Sequence, residues 1–381
     1  MERKIKKRLL DIPLKSDKSF FLWGPRKVGK TYWITHNIKN AVIIDLLKTD
    51  VFADYASRPS LLRERYQNHK GIIVIDEIQK LPVLLNEIHW LIENKHIPFI
   101  ITGSSARKLK NKNVNLLGGR AWRRVMTPLS LIETEGFDIE NIMISGLLPP
   151  HFLSTKAIED LRGYTADYLK EEIAQEAIVR NIPSFSEFLK VAAITSSELL
   201  NYTNVARESG VSSKVVRNYF DILEDTYLGF RVHPWRKSKN RRLIETEKFY
   251  LFDIGITNYL CGRAPKIGTP EFGKSFEQYI LMELKAFKDY RNPELDIRFW
   301  RTASGYEVDF ILGEGDLALE VKGSSRVWEV DAKGLIALSE EMKIKRKVIV
   351  CLEKEPRIIS GDIEIEPWEL FINKLWGGEY L

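Results

Sequence analysis

The sequence predicts an α/β protein built in several units: a parallel sheet between helices first, a helical stretch next, and a second α/β unit last. Three observations predict it. Residues 19–126 alternate short apolar runs (SFFLW, AVIIDL, GIIVIDE, PFIITGS) with longer amphipathic segments. Runs this short and continuous suit strands covered on both faces. The first run leads straight into a glycine-rich loop at Gly24–Thr31. From residue 249 the α/β texture returns, and a hairpin there, GYEVDFILGEGDLALEVKGS (305–324), collects carboxylates and a lysine.

The bulk properties bound the answer. A chain of 381 residues exceeds one ordinary core, so two or three domains follow. Hydrophobic residues make up 44% and charged residues 29%, which excludes disordered and fibrous classes. No stretch approaches the ~20 consecutive apolar residues of a membrane helix, so no membrane partner is expected. The N-terminal MERKIKKRLL is basic but lacks a following apolar region and a small-residue cleavage site, which argues against a secretory leader. Only Cys261 and Cys351 are present, outside any metal-type spacing, and a reducing, cytoplasmic setting fits them. The net charge of +6 is compatible with a polyanionic partner without requiring one.

The strand SFFLW runs into Gly24, Pro25, Arg26, Lys27, Val28, Gly29, Lys30 and Thr31, which read G-x-x-x-x-G-K-T. Glycines at this spacing let backbone N–H groups turn inward around phosphate oxygens. Lys30 then reaches the β- and γ-phosphates, and the Thr31 hydroxyl binds Mg²⁺. ATP and Mg²⁺ are the cofactors this implies. In GIIVIDEIQ, Asp76 ends an apolar strand, where it holds Mg²⁺ through water, and Glu77 polarises the attacking water. PFIITGS is a further buried strand ending in hydroxyls. Ser104 or Ser105 can sense the γ-phosphate there, or cap a helix. GGRAWRR offers Arg120, Arg123 and Arg124. Arg120 is the choice for an arginine finger reaching a neighbouring subunit, which implies a homo-oligomer; a basic surface edge is the other reading.

These stretches, with the following TPLSLIE, resemble the AAA+-type P-loop ATPase domain of a large prokaryotic family of ATP-binding proteins. Its members carry a winged helix and a C-terminal restriction-endonuclease-like domain of unknown function. The likeness continues through YLKEEIAQEAI, the helix-turn-helix, FYLFDIGITNYL and the closing hairpin. It implies an ATPase core at 1–130, a helical lid at 131–195, a winged helix at 196–248 and a PD-(D/E)xK nuclease-like α/β domain at 249–381.

The middle of the chain reads as helical from 128 to 200. Ser130 and Glu133 have capping-box spacing at its start, and AIEDLRGYTADYLKEEIAQEAIVRN is its longest helical stretch. A helix near 203–209, the turn Gly210-Val211-Ser212 and a second helix to about Leu228 follow. Val215, Val216, Tyr219, Phe220 and Leu223 form the apolar stripe of the second helix. Ser212, Ser213, Lys214 and Arg217 lie at its start, where a recognition helix meets a DNA groove. Arg236, Lys237, Lys239, Arg241 and Arg242 read as a wing on phosphates. Against DNA stand Asp221, Glu224 and Asp225 on the same helix, and packing against protein remains the alternative.

The hairpin is expected to turn at Gly313–Asp316, pairing Leu312 with Leu317, Phe310 with Leu319 and Val308 with Val321 on one apolar face. The other face then pairs Ile311 with Ala318 and Asp309 with Glu320, Lys322 lying opposite Glu307. Like charges set opposite each other destabilise a sheet, and a divalent cation would relieve them. Asp309 with Glu320-x-Lys322 resembles PD-(D/E)xK nucleases, in which the acids hold Mg²⁺ and the lysine orients or activates water. The preceding helix supplies a further acid, Glu277, with Glu283 as the alternative. Three readings stay open: an active nuclease, a nuclease-like fold kept for docking or assembly, or a solvated charged face with a Glu320–Lys322 surface pair. The function expected is ATP-dependent work on DNA, and the alternative is a nucleotide-switched regulatory or assembly protein.

Overall fold

The computed structural model describes residues 3–14, 18–105, 107, 117–136, 138–168, 181–236 and 241–381. Among these residues no helix is long and apolar enough to cross a membrane.

Five strands, β1 (Ser19–Trp23), β2 (Val42–Asp45), β3 (Ile73–Asp76), β4 (Phe99–Gly103) and β5 (Ala121–Val125), form an all-parallel sheet in the order β2-β3-β4-β1-β5. Its alternate residues feed two separate cores. Phe21, Trp23, Ile73, Ile75, Phe99 and Ile101 pack on one face, and Phe20, Leu22, Val74 and Ile100 on the other. Burial on both faces explains why these strands read as unbroken apolar runs. Strand β1, which leads into Gly24–Thr31, lies beside β4, and β4 separates it from β3, which carries Asp76.

The capping box at Ser130 and Glu133 forms, but it caps a three-residue 3₁₀ turn, Leu131–Glu133, rather than an α-helix. The stretch expected to be the longest helix is helical over Ala157–Gly163 and continues as a π-helix to Tyr168; its residues 169–180 lie outside the described ones. The longest described helix is Pro270–Tyr290, with 21 residues.

Helices Tyr202–Ser209 and Ser213–Asp225 meet at Gly210, whose φ of 67° suits glycine. The second ends at Asp225, three residues before the expected Leu228. Val216, Phe220, Ile222 and Leu223 join the core that covers β1, so the helix pair shares a core with the first sheet.

The helix pair is followed by β6 (Gly229–Pro234) and β7 (Lys248–Leu251). They continue into β8 (Ile297–Arg301), β9 (Glu307–Leu312), β10 (Leu317–Val321), β11 (Arg346–Cys351), β12 (Arg357–Ile359) and β13 (Ile363–Pro367). All eight make one mixed sheet, ordered β12-β13-β11-β10-β9-β8-β6-β7. The basic stretch expected as a wing therefore falls between two strands of the C-terminal sheet, because β6 pairs in parallel with β8 and antiparallel with β7. Helices Pro270–Tyr290 and Trp368–Gly377 cover one face, and Lys333–Glu341 the other.

The β9–β10 hairpin departs from strict alternation. Leu312–Leu317, Ile311–Ala318 and Phe310–Leu319 pair as the pattern predicts, and the ladder stops there. On the other side the register shifts between Arg298–Ile311 and Trp300–Val308, so that Phe299 of β8 faces two residues of β9, Asp309 and Phe310. This bulge turns Val308 towards Trp300 and Ile311, away from the core that holds Phe310 and Leu312. Bulges re-aim side chains in this way. The Asp309–Glu320 pair is consequently no rung of the ladder; Asp309 Oδ2 accepts instead from the Val321 amide at 2.8 Å.

Candidate functional site

The loop after β1 is shaped by residues of positive φ: Gly24 at 148°, Lys27 at 63° and Gly29 at 96°. A Cβ on Gly24 would lie 2.3 Å from the Met126 carbonyl oxygen, so only glycine fits there. Val28 is fully buried and Pro25 is buried beside it, anchoring the loop. Arg8 donates to the Val28 carbonyl at 2.7 Å, to Thr127 O at 2.6 Å and to Tyr290 Oη at 2.7 Å. Arg26 is half-buried and Lys27 is exposed, its ammonium 5.2 Å from the centre of the Tyr164 ring. The buried Lys30 ammonium donates to the carbonyls of Gly24 at 2.8 Å and Pro25 at 2.9 Å, inside the arc of the loop. Helix Lys30–Asn37 begins at Gly29 with no side-chain cap, so its first N–H groups and positive dipole end face the loop.

Thr31 Oγ1 donates to Asp76 Oδ2 at 2.8 Å, and the Thr102 hydroxyl donates to the other oxygen of Asp76. Burial pushes the Asp76 carboxyl up, against the two hydroxyls that favour its charge. Glu77 sits in the left-handed region at φ 62°, and its amide donates to Thr102 Oγ1 at 3.2 Å. Gln79 Nε2 donates to the Glu77 carboxylate and, at 2.9 Å, to Ser104 Oγ. Hard oxygens from Thr31 and Asp76, beside an ammonium and a helix N-terminus, are a donor set that fits Mg²⁺ carried with a phosphate chain.

A second site lies on the C-terminal sheet. Glu277, Asp309, Glu320 and Lys322 line one cleft of about 690 Å³, together with Lys248, Arg301 and Glu307. The half-buried Lys322 donates to Glu320 Oε1 at 2.8 Å. Burial raises Asp309 well above the carboxylate range, with Glu320 and Glu277 adding to it. Burial pushes Glu320 up to about 7 against the pull of Lys322. Glu283, the alternative to Glu277, is far from this cleft in role. It accepts from Ser130 Oγ at 2.8 Å and the Leu131 amide at 2.7 Å, tying its helix to the 3₁₀ turn.

Lys248, which belongs to no sequence motif, also lines the cleft. It lies 3.2 Å from Glu277 Oε1 and 2.8 Å from Glu307 Oε1, and Tyr250 Oη donates to Glu277 Oε1 at 2.6 Å. Burial opposes its charge, but Glu277, Asp309 and Glu307 outweigh it and hold Lys248 protonated. Among the described residues no group of three or more His, Cys, Asp or Glu is arranged to hold a metal. The buried pair Asp309 and Glu320 fits a divalent cation, because Glu320 Oε2 has no hydrogen-bond partner.

Residues 16–135 match the family described as AAA domain. The N-terminal module is an AAA-type ATPase domain. Residues 136–267 and 272–371 match two domains of unknown function, DUF8612 and DUF4143. Uncharacterized proteins of Mycobacterium bovis and Mycobacterium tuberculosis are each 25% identical over 332 residues, covering 84% of this chain and 72% of the relative. An uncharacterized protein of Methanocaldococcus jannaschii is 21% identical over 354 residues, covering 84% of this chain and 77% of the relative.

The remaining candidates lie on or beyond the surface of the AAA domain. Arg120 follows the 3₁₀ turn Leu117–Gly119 and forms an ion pair with Glu93. Arg123 donates to Tyr227 Oη at 2.5 Å. On the helix Ser213–Asp225, Lys214 and Arg217 are exposed, with the Arg217 guanidinium 3.9 Å from the centre of the Tyr202 ring. The three acids of that helix are engaged within the chain: Asp221 and Glu224 with Arg231, and Asp225 with Arg107. Their charge is compensated rather than left to face a phosphate backbone. Arg241 is equally committed, to Glu340 and Glu341, which removes it from a free wing. Arg236 and Arg242 are exposed, and Lys237 and Lys239 lie outside the described residues.

Gln79, Thr102, Arg8, Arg107 and Lys248 join these sites without forming a sequence motif. The nearest signal was chemical: a glutamine behind IDE, and a lysine heading the apolar strand KFYL.

Proposed function

We propose that this protein hydrolyses ATP at its AAA domain and uses the cycle to act on DNA, as a homo-oligomer. The contact of Thr31 with Asp76 at 2.8 Å, beside Lys30, carries the reading, because it puts both Mg²⁺ donors at the phosphate loop. Amides of the loop from Arg26 to Gly29 cradle the phosphates and Lys30 contacts the β- and γ-phosphates. Mg²⁺, when bound by Thr31 and Asp76, offsets charge on the transferred phosphoryl group. Glu77 orients and polarises the attacking water, Ser104 senses the γ-phosphate, and Arg120 reaches the nucleotide of a neighbouring subunit.

DNA meets the exposed start of the helix Ser213–Asp225, through Ser213, Lys214 and Arg217. The C-terminal cleft is nuclease-like: Asp309 and Glu320 hold the cation, Glu277 supports them, and Lys322 orients water. A second reading has its own support. Lys248 inside the cleft favours a C-terminal domain that docks or assembles without cutting, in a nucleotide-switched regulator.

The deciding experiment measures ATP turnover with and without single-stranded, duplex and branched DNA, with oligomer size measured alongside. DNA should raise turnover in the wild type, and charge reversal at Lys214 and Arg217 should remove the stimulation. Turnover indifferent to every DNA would leave the regulator in its place.

A further inference from the structure

The cleft of the C-terminal sheet divides into two halves. At one end, Lys248 stands between Glu277 and Glu307, 3.2 and 2.8 Å from their nearest oxygens. It is only 3% exposed, and strand β7 carries it. Arg301 Nη1 adds a contact of 3.2 Å to the other oxygen of Glu307. At the far end, Glu320 keeps one buried oxygen without a hydrogen-bond partner, and Asp309 holds the Val321 amide. The lining holds five carboxyls (Glu198, Glu277, Glu307, Asp309, Glu320) and four cations (Lys248, Lys274, Arg301, Lys322), and Lys274 is paired with Glu198. The charge left over belongs to the Asp309–Glu320 end.

We propose that Lys248 is a resident cation that excludes divalent metal from the Glu277–Glu307 half of this cleft. A metal ion brought to the same carboxylate oxygens would meet an ammonium about 3 Å away, where like charges repel strongly and little water screens them. The lysine also satisfies those carboxylates in the absence of metal, which an empty two-metal site could not do. The cleft is then built for at most one ion, at Asp309 and Glu320. Glu277 serves as a partner of Lys248 and Tyr250 rather than as a metal ligand. The inference rests on reading the cleft as a cation site, but it concerns the half that the metal does not use.

The test counts Mn²⁺ bound per nucleotide-free full-length chain, by electron paramagnetic resonance of the free ion. Lys248→Met and Lys248→Gln should each bind one ion more than the wild type. Lys248→Arg, which keeps the charge, should bind no more than the wild type. Adding Glu277→Gln to Lys248→Met should abolish the gain. Thermal melting identifies which variants are folded, and any one neutral variant that folds suffices. Equal Mn²⁺ counts in the wild type and a folded neutral variant overturn the proposal. The cleft reading is judged separately: Asp309→Asn in the wild-type background should lose an ion, and if it loses none, that reading fails while the Lys248 comparison still stands.

Discussion

Arg107 Nη1 donates to the Asp225 carboxylate at 3.0 Å, and Arg107 Nη2 to Asn218 Oδ1 at 2.9 Å. The contact joins the segment just past β4, where Ser104 meets Gln79, to the last turn of the helix Ser213–Asp225. Both side chains of the ion pair are largely buried, at 15% and 19% exposure. A pair in that setting is worth about 1 kcal/mol. Arg107→Ala and Asp225→Ala should each lower the urea midpoint, and the double variant should lose about 1 kcal/mol less than the sum. Strict additivity would mean that the two segments are energetically independent.

Nucleotide chemistry gives the next expectation. Lys30→Ala should weaken ATP binding at least about 100-fold, since it removes the ammonium held within the loop. Glu77→Gln should bind ATP normally and turn it over about 100-fold more slowly or worse. Gln79→Ala should lower kcat about tenfold and leave KM unchanged, because Gln79 holds Glu77 against Ser104 without touching the phosphates. Calorimetry with a slowly hydrolysed analogue and phosphate release separate these effects. Wild-type affinity in Lys30→Ala would remove the loop from the mechanism.

Stability should fall as pH rises towards neutrality. Glu283 is fully buried, and desolvation pushes its carboxyl up to about 7, against the hydrogen bonds from Leu131, Ser130 and Trp376. The folded protein keeps a proton there that the unfolded chain releases near pH ~4.3. The stability from this group is fully present below that value and is lost as pH rises through about 7. The loss is on the order of 3 kcal/mol. Glu283→Gln, which cannot titrate, should lose less in Tm between pH 5 and 8 than the wild type. Parallel melting curves across that range would contradict the assignment.

At the cleft, Asp309→Asn should raise Tm at pH 8 in metal-free buffer, since a buried charge next to Glu320 is removed. The same change should abolish any Mn²⁺-dependent gain in Tm. Lys322→Ala should keep that gain and lose any metal-dependent cleavage of plasmid or branched DNA. A wild type that shifts with metal yet never cuts would assign the domain to docking.

Much of the architecture was legible in the amino-acid sequence because its signals are local. G-x-x-x-x-G-K-T, the apolar run ending in Asp76-Glu77 and the run ending in Ser104 are each a strand followed by a chemically marked turn, and periodicity alone reveals such units. The helix pair at 202–225 was legible for the same reason, with Gly210 at its turn and Ser212 capping its second helix.

What the sequence determined by itself was the presence of a glycine-rich G-x-x-x-x-G-K-T loop, of a strand ending in Asp76-Glu77, and of a carboxylate–lysine hairpin on a later strand pair. The tertiary structure alone decided what surrounds them. The bulge in β9 depends on pairing with β8, so no pattern within 305–324 could show that Val308 changes face. Lys248 enters the cleft because β7 lies at the edge of the same sheet, some sixty residues before Asp309 in the chain. Asp221, Glu224 and Asp225 are obstacles to DNA in the linear pattern, but in the fold Arg231 and Arg107 lie against them. Charge compensation is a property of neighbours in space, and its cost or benefit is set by burial, which a linear pattern records only where the partners are also close in sequence.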